Sequence, residues 1–422
     1  MTCVIAGGGP AGAMLALVLA RSGVEVTLLE KHADFLRDFR GDTIHPSTLQ
    51  VLDELGLADD FLKLPHRKAY EISLLTDAGP MRLSSLRPLP GPYNYIAFVP
   101  QWDFLDLITA KAATYPTFRL LMEAEAYDLI REDGVVRGLR YRDASGEHEL
   151  RADLTVAADG RGSVLRERAG LVPEELGAPM DVLWFRVPRA DTDPEETFLR
   201  VSSGHLMVAI NRESYWQLAY AIPKGGFDRL RSQGIEALRG PVSRLLPFLG
   251  DRVGQIRGYD DISMLTVALN RLRRWHRPGF LCIGDAAHAM SPVFGVGINL
   301  AVQDAVATAN LLAGSLRSGA PIPESTLHLL QKRRMPPTRV TQAAQRLVQN
   351  RLIRPALKRQ FKPPRIRPDL ARVPLLNRVT RRFIGLGVRP EHVAVAPLAG
   401  RPSHNVDIAV GAEEPVEYPR MS

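Results

Sequence analysis

The chain has 422 residues, 45% of them apolar, which is enough for two packed units and inconsistent with a disordered or repetitive protein. A formal charge of +8 suits an anionic partner, but the arginines are scattered and no helix-turn-helix, zinc-finger or aromatic RNA-binding pattern accompanies them. Nucleic acid is therefore set aside in favour of a phosphorylated cofactor. Only Cys3 and Cys282 are present, each in an apolar run, so a disulfide framework is excluded. The N-terminal apolar stretch lacks a basic leader and is broken by glycines, and no run of about twenty apolar residues exists, so a cytoplasmic protein is expected.

The run Cys3 to Ala6 reads as a buried strand, and Gly7-Gly8-Gly9-Pro10-Ala11-Gly12 as a tight turn opening an Ala- and Leu-rich helix that ends near Ser22-Gly23. Glycine is needed at Gly7 for the turn, at Gly9 so that backbone can approach a pyrophosphate, and at Gly12 so that the helix packs closely on the strand. A second strand, Glu25 to Leu29, ends at Glu30, where a carboxylate accepts hydrogen bonds from an adenosine ribose. The complete unit predicts dinucleotide binding, with Gly7, Gly9, Ala11, Gly12 and Glu30 as cofactor contacts and the helix start donating to phosphate.

His45 to Gly56 predicts a short helix carrying Leu49, Leu52 and Leu55. Alternation over 71–86, turning at Asp77-Ala78-Gly79-Pro80, predicts a hairpin. Helical spacing returns at Phe104 to Ala113, strand-like alternation at Ala126 to Ile130 and Val135 to Tyr141, and Leu154 to Ala158 reads as a buried strand. Leu183 to Val187, Leu206 to Ile210 and Tyr215 to Ile222 alternate as antiparallel strands do. A strand at Phe280 to Ile283 precedes helices from Ile298 to about Ser315 and from Leu327 to Leu352, and beyond Pro355 the chain is rich in Pro and Arg.

Two further blocks complete the pattern: Ala157-Ala158-Asp159-Gly160-Arg161-Gly162-Ser163 with Arg166 following, and Gly284-Asp285-Ala286-Ala287-His288 continuing through Pro292 to Gly295-Val296-Gly297-Ile298-Asn299. With the Gly7 to Gly12 turn, in this order and spacing, the chain resembles the single-component, FAD-dependent aromatic monooxygenases of the para-hydroxybenzoate hydroxylase type, the class A flavoprotein monooxygenases, over most of residues 1 to 350. The resemblance implies an α/β fold. A Rossmann-like FAD-binding domain (1–70, 93–175 and 278–345) is interrupted by a mainly antiparallel β-sheet substrate domain (71–92 and 176–277) and followed by a helical, basic C-terminal region (346–422).

It also implies that Asp285 binds the ribitol or pyrophosphate region, that Asp159 supports FAD and transient nicotinamide use, that Arg40 lies near the pyrophosphate, and that Gln101 contacts FAD. A fixed guanidinium at Arg40 suits bidentate phosphate contact. Pro292 to Asn299 is expected along one edge of the isoalloxazine, where Gly295 and Gly297 permit close approach. The helix starting near Ile298 then points its positive end at the ring and stabilises the reduced, anionic flavin. In this family NAD(P)H reduces FAD and O2 adds to give a C4a-hydroperoxyflavin, so the expected reaction is hydroxylation or epoxidation of an aromatic, quinol or polyketide-like molecule.

Along Leu206 to Ile210 and Tyr215 to Tyr220, one face is expected to carry Met207, Ala209, Tyr215, Gln217 and Ala219 and the other Leu206, Val208, Trp216, Leu218 and Tyr220. Matching Pro223 to the family's strand end turns the first set toward the flavin. That face lacks the arginine that anchors a benzoate carboxylate, which points to a neutral or large apolar substrate, although Arg186 leaves the opposite reading open. Arg186, Met207, Gln217 and Pro292 are the pocket candidates, and no catalytic residue is assigned.

His288 is expected to orient its loop by hydrogen bonding, and His45 to begin a helix. No spacing of His, Cys and carboxylate suggests a metal site, and Ser163 lacks the second glycine of a nucleophile elbow. A halogenase is disfavoured, since Trp184, Trp216 and Trp275 fit no Trp-x-Trp-x-Ile-Pro signature. A flavin-dependent reductase or dehydrogenase and a non-catalytic flavin-binding protein remain as alternatives. The basic residues between Arg351 and Arg382 leave membrane contact as a minor alternative to a solvated surface. Nothing in the sequence specifies an oligomeric state.

Overall fold

The computed structural model describes residues 1–36, 42–202, 204–358 and 374–398. Strand β1 (Thr2–Ala6) runs into helix α1 (Pro10–Arg21), and β2 (Glu25–Leu29) returns beside β1 in parallel, with Ile5 opposite Leu28. Proline at the start of α1 costs no hydrogen bond, because first-turn NH groups have no intrahelical acceptor. Every residue from Ala11 to Ala20 is buried, so the helix has no polar face and its sequence shows no amphipathic period. Next come α2 (Pro46–Glu54), the hairpin β3 (Glu71–Thr76) and β4 (Gly79–Ser85), α3 (Gln101–Ala113), β5 (Phe118–Leu121) and β6 (Leu154–Ala157). The strands β7 (Met180–Pro188), β8 (Phe198–Ser202), β9 (His205–Asn211) and β10 (Tyr215–Pro223) follow, then β11 (Phe280–Cys282), α4 (Gly297–Ser318), α5 (Glu324–Val348) and α6 (Pro374–Gly385).

The first sheet has the order His276–Arg277, β11, β6, β1, β2, β5, and all its pairs are parallel except the edge pair at His276–Arg277. This order explains how distant motifs meet. β11, β6 and β1 are neighbours, so the loops leaving their carboxyl ends, at Ile283, Ala158 and Gly7, emerge side by side, where ligands bind in open parallel sheets. Cys3 and Cys282 are fully buried in these strands, and burial pushes the Cys3 thiol up to about 12.

The second sheet has seven strands, ordered Ser263–Leu265, β7, β10, β9, β8, β3, β4. The hairpin β3–β4 joins it through a parallel contact, Leu199 opposite Leu74. The register places Met207 opposite Tyr220 and Ala209 opposite Leu218, which corrects the expected division of faces. Met207 and Ala209 share their face with Trp216 and Leu218, under Leu238, Val242 and Leu245 of the helix Glu236–Leu245. Met207 is therefore core on the far side of the sheet and not a pocket residue. The near face carries Val182, Leu206 and Ala219, and Val293 from the loop before α4 joins the same apolar cluster as Trp184 and Val208.

Three features differ from the sequence reading. Gly146–Arg151 forms a third strand beside Glu125–Glu132 and Val135–Asp143, unseen because most of its side chains are exposed and polar. The span Val293–Ser318, which includes α4, is long and apolar enough to cross a membrane, but 83% of its most apolar 18-residue stretch is buried inside the fold, and α4 packs against α1 and α5. Within the described residues the C-terminal region is not a solvated tail. Ile353 and Ala356 pack into the near-face cluster, and Val393 and Val395 pack on the core of the first sheet.

Candidate functional site

The glycine turn is shaped by close approaches on one side and open space on the other. Gly7 has φ +104, and a Cβ there would lie 2.5 Å from Ala158 O. A Cβ at Gly12 would lie 2.0 Å from Gly7 O, so any side chain there breaks the turn. A Cβ at Gly9 meets nothing within 4 Å, which leaves the front of the α1 amino terminus open where a pyrophosphate would pass. Ala11 is packed against Gly284, joining the first motif to the last. Glu30 is buried, and its carboxylate accepts from Gly8 N at 3.0 Å and His32 N at 3.2 Å, so it stands fixed at the end of β2.

At the end of β6, Asp159 accepts from Leu165 N at 3.4 Å through Oδ2, while its buried Oδ1 has no partner among the described residues. Burial pushes this carboxyl up, against the pull of Ser163 and Arg166. Arg166 ties the loop to the next motif by donating to Ala286 O at 3.1 Å and Arg161 O at 2.9 Å. Asp285 stays part-exposed at the front, with Arg161 Nη2 at 3.9 Å. The turns after β1, β6 and β11 thus form one cradle with an open face, backbone donors and one unspent buried acceptor, a donor set that fits an FAD.

The loop from Pro292 to Gly297 forms the wall next to the second sheet. Pro292 is exposed, and Gly295 has φ +63, with Thr43 Oγ1 donating to its carbonyl at 2.7 Å. A Cβ at Gly295 would lie 2.4 Å from that hydroxyl, whereas one at Gly297 would meet nothing. The first-turn NH groups of α4, at Gly297, Ile298 and Asn299, lack intrahelical acceptors and are available to a ligand. The side chain of Asn299 is not: its Oδ1 accepts from His45 N at 2.9 Å and Thr48 Oγ1 at 2.7 Å, and its Nδ2 donates to Thr43 O at 3.3 Å. Gln101 is buried at the start of α3. Arg40 lies outside the described residues.

Behind this wall runs a buried chain of charges that sequence reasoning did not find. His288 Nε2 donates to Asp304 Oδ2 at 2.6 Å, and the same oxygen accepts from Gly284 N at 3.1 Å. Arg334 Nε donates to Asp304 Oδ1 at 2.9 Å, and Arg334 and Arg333 both reach Glu391. Burial pushes the Asp304 carboxyl up, but His288 and Arg334 together outweigh it and hold it below its ordinary value. His288 therefore orients its loop, as expected. His45 begins α2 and donates from Nδ1 to Ile384 O at 2.7 Å, and burial lowers it to about 4.

On the near face of the second sheet, Gln217 is buried and spent: its Nε2 donates to Asp42 Oδ2 at 2.8 Å and its Oε1 accepts from Arg212 at 2.9 Å. Arg212 pairs with Asp42 at 2.7 Å, both nearly buried. Burial pushes the Asp42 carboxyl up, opposed by Arg212, Gln217 and Arg186. Arg186, opposite Gln217 in the register, is exposed and lies over the Tyr215 ring at 5.0 Å. Asp103, on the first turn of α3, is pushed up to about 6 by burial and Asp106. Arg212 carried no signal in the sequence, since it sits in an ordinary polar turn.

The family described as FAD binding domain matches residues 1–344. The chain is 33% identical, over 338 residues, to 6-methylpretetramide 4-monooxygenase of Streptomyces rimosus, covering 80% of this chain and 80% of that protein. Among solved structures it is similar to PqsL, a probable FAD-dependent monooxygenase from Pseudomonas aeruginosa, with a TM-score of 0.72 at 24% identity over 85% of this chain and 97% of that one. It is also similar to OxyS anhydrotetracycline hydroxylase from Streptomyces rimosus, with a TM-score of 0.71 at 22% identity over 95% of this chain and 78% of that one. At these identities the two structures speak to the fold alone.

Proposed function

This chain belongs to the FAD binding domain family and is an FAD-dependent monooxygenase using NAD(P)H and O2, and on that premise we propose that its substrate is a large neutral aromatic, a phenolic polycycle of the polyketide kind. The observation that carries this reading is the near face of the second sheet. Beside the Pro292–Gly297 loop it carries the part-buried Trp184 and Val208, with Val182 and Ala219 packed in one cluster with Ile353 and Ala356, and its buried amide is committed, Gln217 to Asp42 and Arg212. A carboxylate buried against Trp184 and Val208 would lose hydration without gaining an ion pair from those side chains, a cost that selects against it. The similarity to a protein named for oxygenating 6-methylpretetramide supports the same class.

The chemistry supplied by bound FAD is acceptance of hydride from NAD(P)H and activation of dioxygen. In the proposed assignment the backbone at Gly7, Gly9, Ala11 and Gly12 holds the pyrophosphate, Glu30 the adenosine ribose, and Asp159 and Asp285 the central part of the cofactor, with Gln101 beside it. The first-turn NH groups of Gly297, Ile298 and Asn299, with the dipole of α4, would stabilise negative charge on the bound group. The apolar near face and Val293 keep water from the oxygen chemistry, which otherwise wastes reductant as peroxide.

The test is substrate-stimulated NAD(P)H oxidation by the FAD-loaded protein, with oxygen uptake and product mass followed together. Neutral polycyclic phenols are expected to stimulate and gain one oxygen atom. Stronger, productive stimulation by simple benzoates overturns the substrate assignment, and oxidation without oxygen uptake redirects the reading to a reductase.

A further inference from the structure

Phe294 sits in the wall loop with φ +70 and ψ −6, a left-handed conformation that a bulky side chain rarely adopts. Five non-glycine residues among the described ones have positive φ, and the other four are Glu123, Asp133, Glu213 and Arg389, polar residues outside this loop. Such strain persists only where the surroundings over-determine it. On one side the loop is held at Gly295, whose carbonyl accepts from Thr43 Oγ1 at 2.7 Å. On the other side the Phe294 ring meets Phe383 edge to face, with centroids 5.9 Å apart and planes at 85°. Both rings pack on a cluster formed by Leu86, Leu89, Ile96, Ile384 and Leu386.

Phe383 belongs to α6, which begins thirty residues beyond the family match ending at 344. The helix is seated by specific contacts. Ile384 O accepts from His45 Nδ1 at 2.7 Å, and a Cβ on Gly385 would lie 2.5 Å from Leu89 Cδ1, so the backbone approaches the cluster as closely as glycine allows. His45 in turn donates its NH to Asn299, at the first turn of α4. The C-terminal helix therefore grips the wall loop at Phe294 and, through His45, the helix start that the loop leads into.

We propose that Phe383 is a positioning residue: its ring holds Phe294 in the left-handed conformation and so aims the backbone NH groups of residues 297–299 at the flavin. The assignment rests on the flavin reading of the cradle. Without the ring of Phe383, Phe294 relaxes toward negative φ, the turn at Gly295 shifts, and FAD binding has to restore the geometry.

The experiment is a double-substitution cycle read by titration of apo-protein with FAD, following flavin fluorescence, with peroxide formed per NAD(P)H as a second readout and the thermal midpoint as a folding control. Phe383→Ala is expected to raise the FAD Kd about 5- to 30-fold, the cost of a single strained residue, and to increase peroxide. Phe294→Gly removes the need for the clamp, because glycine adopts φ +70 freely. In the Phe294→Gly background, Phe383→Ala is expected to change the Kd by less than about 2-fold.

Phe383→Leu, which keeps apolar volume, is carried in parallel and replaces Phe383→Ala in the cycle if the alanine variant does not fold, with a smaller rise expected and the same loss of effect beside Phe294→Gly. An unchanged Kd and peroxide yield on substituting Phe383, or an effect equally large in the Phe294→Gly background, overturns the proposal while leaving the flavin reading intact. A wild-type chain that binds no FAD overturns both.

Discussion

Two groups of polar contacts in this molecule, both built around arginine and carboxylate, differ most in where they lie. Arg140 with Glu149, Arg142 with Glu125 and Arg151 with Glu132 form a ladder on the small antiparallel sheet, all with side chains 41% or more exposed. His288, Asp304 and Arg334, with Glu391, form a line behind the Pro292–Gly297 wall, where the first three are at most 1% exposed. Water screens the ladder, so each of its pairs replaces solvation that the separated ions already enjoy. The buried line has no such fallback, and every member depends on the others. Distance alone does not distinguish them: Arg142 and Glu125 are 2.6 Å apart, closer than Arg334 and Asp304 at 2.9 Å.

The strongest way to break this comparison is Asp304→Ala. It leaves His288 Nε2 without its acceptor, takes one of the two carboxylates from Arg334 and removes the acceptor for Gly284 N, and is expected to cost about 3–5 kcal/mol in urea unfolding. A joint replacement, Asp304→Leu with Arg334→Met, is expected to sit closer to the wild type than Asp304→Ala alone. If the single variant is as stable as the wild type, the buried line is not the coupled unit described.

A smaller effect follows from pH. His45 is lowered from 6.5 to about 4, so its stabilising contribution is fully present above 6.5 and is lost as pH falls through that interval, reaching about 3 kcal/mol below pH 4. The thermal midpoint of the wild type should fall more steeply between pH 6.5 and 4 than that of His45→Gln, and parallel curves would rule out this source.

Asp103 runs the other way. Its carboxyl is raised from 3.8 to about 6, so the folded state holds the proton more tightly and stability falls as pH rises from about 4 to 6. Asp103→Asn is expected to gain about 1–2 kcal/mol above pH 6 and nothing below pH 4, after allowance for its partial exposure. At the bottom of the scale, Arg142→Ala on the exposed ladder is expected to leave the midpoint of chemical unfolding where it was. A clear loss there would mean that the ladder is a cooperative network after all.

The parts of the fold that could be read from the sequence were those set by short-range geometry. The glycine at 12 has to be bare because its neighbour Gly7 O is 2.0 Å from any Cβ, and such a constraint leaves its mark within six residues. Strands and helices were legible for the same reason, through periods of two and of 3.6. Register was not. Met207 pairs with Tyr220, so odd-numbered residues on one strand face the same way as even-numbered ones on the next, and grouping Met207 with Gln217 by parity put it on the wrong side. Asp304 and Arg334 were hidden too, because two charges spaced thirty residues apart on apolar and amphipathic helices look like ordinary surface positions until both prove buried. The strand at Gly146–Arg151 was missed for the opposite reason, since with little to bury it shows no alternation.

The strand order β11, β6, β1 has a consequence for biogenesis. Ala11 touches Gly284, so the cradle's first and third walls come from residues synthesised more than 270 positions apart. A ribosome-bound chain that has not yet emitted β11 owns a glycine turn but no complete cradle, and cofactor capture waits until about two thirds of the chain has been made. Ligand that binds only the finished form adds RT ln(1 + [L]/Kd) to its stability, so flavin supply during expression becomes a lever on yield.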